Sequence, residues 1–214
     1  MQRILFETLN HTSDAWANSP QTETPHTKGR TMIIFVGGLV GAGKSTIAKK
    51  LSDAFSCYYY DADETKRTIF EADPSYEHNL ENGIPFSDET RMKVFKKVVE
   101  DLKDLRKTHS HVVVDETLHR RALRQELYKA ATELYGQYLI VWVRADEDVI
   151  IQRLKSNKRE GHILDDPILM YQSFRRKFQE FNRSVVVVNN NGDPDETIQN
   201  LHALIDAAAQ LKDR

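Results

Sequence analysis

The stretch GGLVGAGKST, residues 37–46, directly follows the apolar run MIIFV at residues 32–36. Within it, residues 38–45 match the pattern G-x-x-x-x-G-K-[ST] at every fixed position. Glycines allow the backbone to curl until successive N–H groups point inward, and a helix that follows adds its free N–H groups and positive dipole end. An apolar strand before the pattern and a helical pattern after it supply the context that this motif requires. The stretch therefore predicts a loop that binds nucleotide phosphates.

The residues of this loop have distinct expected contacts. Lys44 should reach the β- and γ-phosphates, and Ser45 should offer its hydroxyl to Mg²⁺. ATP as co-substrate and Mg²⁺ as its metal are therefore the expected cofactors, although the motif does not distinguish ATP from GTP. The nucleotide-binding residues that the motif predicts are Gly38, Gly41, Ala42, Gly43, Lys44, Ser45 and Thr46.

Two acidic residues, Asp61 and Asp63, close the second apolar run of the chain. In an open parallel sheet, ligands bind beyond the carboxyl ends of the strands. Both residues are therefore expected on the side of the phosphate loop, where a carboxylate can accept a proton from an attacking hydroxyl or hold Mg²⁺ through water. Asp is also a good N-cap, so capping of the following helix is an alternative role for one of them.

A second strand ending, VVVDE at residues 112–116, places two further acids near the loop. Asp115 has the position of a carboxylate that lies beside the metal. Glu116 follows it directly, and in many nucleotide hydrolases an acid at this place activates water. A nucleotide-dependent switch or NTPase that uses Glu116 is therefore an alternative to a phosphotransferase.

Three clusters of basic residues lie near these sequences. Arginines commonly stabilise the negative charge that spreads over a transferring phosphoryl group. Two clusters follow Asp63 and Asp115 on the expected acceptor side, and the third brackets the polar segment 156–166, which is predicted to be a mobile lid. A solvated helix face is the alternative for each cluster. The residues concerned are Lys66, Arg67, Arg120, Arg121, Arg153 and Arg159.

Composition and pattern favour one α/β domain. The chain has 214 residues, of which 40% are hydrophobic and 29% charged, which is enough for a sizeable core. Over residues 32–214, five short apolar runs alternate with helical patterns, which predicts a five-stranded parallel sheet flanked by helices on both faces. The segment 73–87 is predicted to be a loop, and residues 1–31 an N-terminal extension with a polar, proline-containing linker.

Charge and hydropathy limit the partners and the cellular compartment that are expected for the protein. The formal net charge of −2 does not favour a nucleic-acid partner, although it leaves room for a local basic groove. No apolar run approaches the roughly 18 residues that span a bilayer, and the N-terminus has no secretory pattern, so a cytoplasmic protein without membrane contact is expected. The sequence does not indicate an oligomeric state.

With these residues in place, the chain resembles the small P-loop kinases of the zeta-toxin, gluconate kinase, adenylylsulfate kinase and polynucleotide kinase group. The resemblance covers residues 32–211, and the motifs that carry it are GGLVGAGKST, DADETKR, VVVDETLHRRALR and RLKSNKR. It implies a nucleoside-kinase-like three-layer fold that transfers the γ-phosphate of ATP to a hydroxyl. The subgroup is not determined.

The resemblance also implies roles for individual residues. Asp63 would be the base that contacts the acceptor hydroxyl, and Asp61 a residue near the metal. Arg153 and Arg159 would be lid arginines, and Asn190 would lie near the adenine. The group usually carries arginine three residues after the base, where this chain has Lys66 followed by Arg67, so which of the two faces the acceptor stays open.

The function these observations favour is an ATP-dependent kinase of a small hydroxyl-bearing metabolite. A polynucleotide or RNA kinase is an alternative that would need a basic channel leading to Asp63. The hydrolytic switch based on Glu116 is an alternative of a different class.

Overall fold

A five-stranded, wholly parallel sheet forms the centre of the protein. The computed structural model describes residues 31–82, 84, 86–156 and 167–201. The strands are β1 (Met32–Gly38), β2 (Tyr58–Asp61), β3 (His111–Asp115), β4 (Tyr138–Arg144) and β5 (Val186–Asn189). Their order is β2-β3-β1-β4-β5, and every neighbouring pair is parallel. The predicted sheet is therefore confirmed, and β3 lies between the phosphate-loop strand β1 and the strand β2 that leads to Asp63.

Helices connect the strands. They are α1 (Lys44–Ala54), α2 (Ala62–Glu71), α3 (Tyr76–Glu81), α4 (Asp88–Leu105), α5 (Arg121–Tyr135), α6 (Glu147–Ser156) and α7 (Pro167–Lys177), followed by α8 over residues 194–201. Within the described ranges, no helix is both long and apolar enough to pass through a lipid bilayer.

Alternating residues of β1 separate the two faces of the sheet. Ile33 and Phe35 pack in a cluster that includes residues of α4 and α5. Ile34 and Val36 point the other way and pack in a second cluster with α1 and α8. Each of these four side chains is buried, which contributes roughly 1.5–3 kcal/mol apiece. The result is the predicted three-layer α/β sandwich.

The segment 73–87, predicted to be a loop, contains the short helix α3. Its start is held by polar contacts rather than by an apolar stripe. The Asp73 carboxylate accepts hydrogen bonds from the backbone N–H of Ser75 at 2.9 Å and from the Thr90 hydroxyl of α4 at 2.6 Å. Because these polar contacts join the turn before α3 to α4, the apolar periodicity of the segment could not reveal α3.

Several predicted segments lie outside the described residues. These are residues 1–30 of the proposed extension, the C-terminal part of the last predicted helix and all of the proposed lid except Ser156. Arg159 belongs to the same part of the chain, and its predicted role stays a prediction.

Candidate active site

The loop between β1 and α1 is held between α6 and the end of β5. Gly41 and Gly43 have φ angles of 81° and 89°, in the left-handed region that favours glycine. A Cβ at Gly43 would lie 2.2 Å from the side-chain nitrogen of Asn190, and a Cβ at Gly41 would lie 2.9 Å from Ile150 of α6. Gly43, a fixed position of the motif, and Gly41, one of its variable positions, therefore have no room for a side chain.

Asn190 supports this loop from beneath. Its side chain is 2% exposed, and its Nδ2 donates a hydrogen bond to the Ala42 carbonyl at 2.9 Å. The resemblance to small kinases places Asn190 near the adenine. The structure adds a contact with the loop itself, which the sequence pattern did not indicate.

Asp115 lies at the carboxyl edge of the central strands. In the sheet it pairs with Val36 of β1 and with Asp61 of β2, and it is 5% exposed. Burial raises its pKa, while the charge of Lys44 and a hydrogen bond from the Ser45 hydroxyl act in the opposite direction. Lys44 and Ser45 of the phosphate loop therefore lie close to Asp115 of the VVVDE motif, as predicted site residues from two separate motifs.

The oxygen groups at this edge suit Mg²⁺. Among the described residues, no group of three or more His, Cys, Asp or Glu side chains could hold a metal alone. Mg²⁺ usually takes one or two protein oxygens together with water and substrate phosphates. The Ser45 hydroxyl and the Asp115 carboxylate match that requirement, since each supplies a hard oxygen beside the phosphate loop.

Asp61 and Asp63 occupy different places in α2. The Asp61 carboxylate accepts a hydrogen bond from the Asp63 N–H at 2.9 Å and caps the helix, as the alternative interpretation of this pair expected. Asp63 lies in the first turn, and its side chain is 70% exposed. Its carboxylate is therefore accessible to a second molecule, while the predicted role of Asp61 near the metal stays a prediction.

Lys66 links Asp63 to the buried Glu116. Its Nζ lies 2.7 Å from Asp63 Oδ1 and 2.6 Å from Glu116 Oε2, and Glu116 is only 3% exposed. Burial acts to lower the pKa of Lys66, but the carboxylates of Glu116 and Asp63 outweigh burial and raise it. Lys66 therefore stays charged, and it points into the site, whereas Arg67 is exposed.

A buried histidine lies beside this pair, and the sequence interpretation did not assign it a role. His119 contacts the Phe174 ring edge-to-face, with the centroids 4.8 Å apart. Burial lowers its pKa to about 3, and the neighbouring positive charges act in the same direction. We call these neighbours the acceptor-side cations; they are Arg91, Lys66, Arg120 and Lys177.

The acceptor-side cations come from several elements. Arg91 of α4 donates a hydrogen bond from Nε to the Phe86 carbonyl at 3.1 Å, and Arg120 forms an ion pair with Asp88. The predicted Arg121 is exposed at the start of α5, where its backbone N–H binds the side chain of Gln179. The sequence signal that could have revealed His119 is its place in the mostly polar stretch directly after β3. The structure buries residues 116–119 of that stretch.

Arg153 lies at the phosphate loop, as its prediction requires. Its Nη1 lies 3.7 Å from the position that a Cβ on Gly43 would occupy. This nitrogen is buried, and no described residue accepts a hydrogen bond from it. A buried guanidinium nitrogen next to a phosphate-binding loop is well placed to meet a phosphate oxygen.

His119→Gln should reduce the dependence of stability on pH. The folded protein keeps His119 neutral down to about pH 3, whereas the unfolded chain takes up a proton below its ordinary value of 6.5. The free energy of unfolding should therefore fall as pH decreases from 6.5 towards 3, with this residue contributing up to about 1.4 kcal/mol per pH unit. Urea unfolding between pH 5 and 7.5 measures the slope.

The matched control for that measurement is His78→Gln, at an exposed position of α3. It should leave the slope as in the parent protein. An unchanged slope in His119→Gln would show that His119 is not buried in the neutral form.

Known proteins resemble this chain in sequence and in fold. The family AAA_33, an AAA domain, matches residues 33–181. The chain is 31% identical over 148 residues to a gluconokinase of Arabidopsis thaliana, covering 66% of this chain and 74% of that protein. It is 29% identical over 149 residues to a probable gluconokinase of Saccharomyces cerevisiae, covering 67% of this chain and 72% of that protein. A gluconokinase structure from Sinorhizobium meliloti aligns with a TM-score of 0.63 at 20% identity, covering 86% of this chain and 95% of that one, which supports the fold.

Proposed function

The chain belongs to the AAA_33 family of AAA domains, and from that premise we propose that it transfers the γ-phosphate of ATP to a hydroxyl of a small sugar acid. Independently of the proposed substrate, the chain is a P-loop kinase, a phosphotransferase that acts on a hydroxyl group of a small metabolite. The observation that carries the proposal is the position of Asp63 and the acceptor-side cations at the same edge of the sheet as the phosphate loop.

The proposed reaction assigns a task to each group at this edge. Lys44 and Arg153 hold the phosphate oxygens, and Ser45 and Asp115 hold Mg²⁺, which neutralises charge on the phosphates when bound. Asp63 accepts the proton of the acceptor hydroxyl as that oxygen attacks the γ-phosphorus, while the bond from this phosphorus to the β,γ-bridging oxygen breaks and ADP leaves. Phosphoryl transfer needs little covalent chemistry from the protein, so positioning and charge supply most of the rate.

Charge supports an acidic acceptor. Arg91, Arg120 and Lys177 surround His119 on the side of the site where Asp63 lies, and a carboxylate on the substrate would be attracted by them. The relatives named as gluconokinases point to the same substrate class.

Two observations disfavour the alternatives. The Glu116 carboxylate is buried and ion-paired with Lys66, so it is poorly placed to act as the base of a hydrolase. The net charge of −2 lacks the positive excess typical of a protein that binds polynucleotides through their phosphates.

ADP release should rise most with aldonic acids. We expect gluconate to stimulate the parent protein well above glucose, sorbitol or a 5′-hydroxyl oligonucleotide, because only the acid offers a carboxylate to Arg91, Arg120 and Lys177. Arg91→Met should lower kcat/KM for the acid by about 10–100-fold, as expected for a lost hydrogen bond to a charged group.

The control is Arg183→Met, which removes the same charge at an exposed position beside Tyr128. It should not alter the preference for the acid. Stimulation by the oligonucleotide instead of by small acids would overturn the proposal in favour of a polynucleotide kinase. ADP release that no acceptor affects would favour the hydrolytic switch.

A further inference from the structure

A three-residue ion-pair chain runs from the end of β3 to the first turn of α2. It joins Glu116 to Lys66 and Lys66 to Asp63, at 2.6 Å and 2.7 Å. We propose that Lys66 and Glu116 form a positioning pair that holds the Asp63 carboxylate in place for the acceptor. This inference rests on the proposed function, in which Asp63 is the base, and it gives Lys66 a task other than contact with the substrate.

Glu116 is the fixed end of this chain. Its backbone N–H donates to the Val36 carbonyl at 3.2 Å, which continues the pairing of β3 with β1 beyond the last strand residue. Its side chain is buried, and one of its two oxygens, Oε1, meets no described donor. A buried carboxylate without a counter-charge is strongly unfavourable, so Lys66 provides the charge that this site requires.

Lys66 would be poorly placed without Glu116. An ion pair between residues three apart on a helix surface is weak, because each long side chain has many competing rotamers. Here the Lys66 side chain is only 21% exposed, and its ammonium is bound on the inner side by Glu116. The contact with Asp63 is therefore made by a group whose position is already set.

Asp63 is the exposed end of this chain. Its side chain is 70% exposed, so packing does little to define its rotamer. The Asp61 cap fixes the backbone of Asp63 through its N–H, and Lys66 fixes one carboxylate oxygen. A base must lie within hydrogen-bond reach of the proton that it accepts, so this restraint acts on the rate of transfer and only weakly on ATP binding.

The test compares Lys66→Met, Glu116→Gln and the double variant. Lys66→Met leaves Glu116 buried and unpaired, so it should lower both stability and kcat, the latter by about 10–100-fold through misplacement of the base. The double variant removes both buried charges, so it should recover most of the stability of the parent, since replacing a buried pair by uncharged groups is often neutral. Its kcat should stay as low as that of Lys66→Met.

Two kinetic outcomes would overturn the inference. Recovery of kcat together with stability in the double variant would make the pair purely structural. An increase of KM for the acceptor without loss of kcat in Lys66→Met would mean that Lys66 binds the substrate directly. ATP affinity should stay close to that of the parent in all three variants.

A measurement of the Lys66 ammonium resonance by NMR needs no acceptor. It therefore tests this inference separately from the proposed function. The ammonium resonance of Lys66, identified by its loss in Lys66→Met, should shift in both Asp63→Asn and Glu116→Gln. A resonance that responds to Glu116→Gln alone would show that Lys66 does not hold Asp63, whatever the substrate is. Absence of turnover in the parent with every acid, combined with both shifts, would reject the proposed function and retain the ion-pair chain.

Discussion

Lys44→Ala is expected to lower phosphoryl transfer by about 10³-fold or more and to weaken ATP binding, because it would remove the ammonium that we propose to bind the β- and γ-phosphates. Lys44 acts on the pKa of the buried Asp115 and so lies at the edge where the phosphate loop and the carboxylates meet. Its charge also partly offsets the negative charge of Asp115. The measurements are kcat with the best acceptor and the dissociation constant of an ATP analogue.

The control for this prediction is Lys50→Ala on the same helix. Lys50 forms an exposed ion pair with Asp195, so its loss should change stability only slightly and turnover not at all. Normal turnover in Lys44→Ala would contradict a phosphate-binding role for the whole loop.

Asp63→Asn is expected to slow transfer by about 10²–10⁴-fold while ATP binds as tightly as in the parent. The substitution keeps the size and the exposed position of the side chain but removes the charge that would accept the proton in the proposed reaction. Nucleotide binding depends instead on the loop backbone and Lys44, which this change does not touch. Pre-steady-state measurement of the transfer step, together with a titration of nucleotide affinity, checks both halves of the prediction.

Glu64→Gln is the matched control, since it removes the same charge from the next residue of α2, which is also exposed. It should leave the transfer step close to that of the parent. If Glu116→Gln abolished phosphate release while Asp63→Asn left it intact, the hydrolytic switch would become the better account.

Local patterns and long-range contacts differed in how well they could be predicted. The phosphate loop is encoded in ten consecutive residues, so its position between β1 and α1 was predicted from the sequence. The five strands were also predicted, because each is a short apolar run. The strand order was not, since it depends on which edges pair in space. The helix α3 was missed because polar contacts, such as that between Asp73 in the turn before it and Thr90 of α4, leave no apolar pattern in the sequence.

The candidate site shows the same division. Asp63 and Asp115 could be placed near the loop because Asp115 is the last residue of β3 and Asp63 lies two residues after β2. The partnership of Lys66 with Glu116, the burial of His119 and the approach of Arg91 all depend on distances between elements, which no local pattern reports. The rotation of α2 turns Lys66 toward Glu116 and leaves Arg67 exposed, and which of the two faces the acceptor stays a prediction.

The contact between Asn190 and Ala42 has a consequence for the synthesis of the protein. The two residues are 148 positions apart, and the loop near the start of the domain is completed by a side chain near its end. A chain emerging from the ribosome would carry the whole glycine-rich sequence long before Asn190 is made, and native contacts of such long range form late. Nascent chains that end before β5 should therefore bind ATP poorly. The growing polypeptide should acquire ATP binding only late in its synthesis, after β5 and Asn190 have been made.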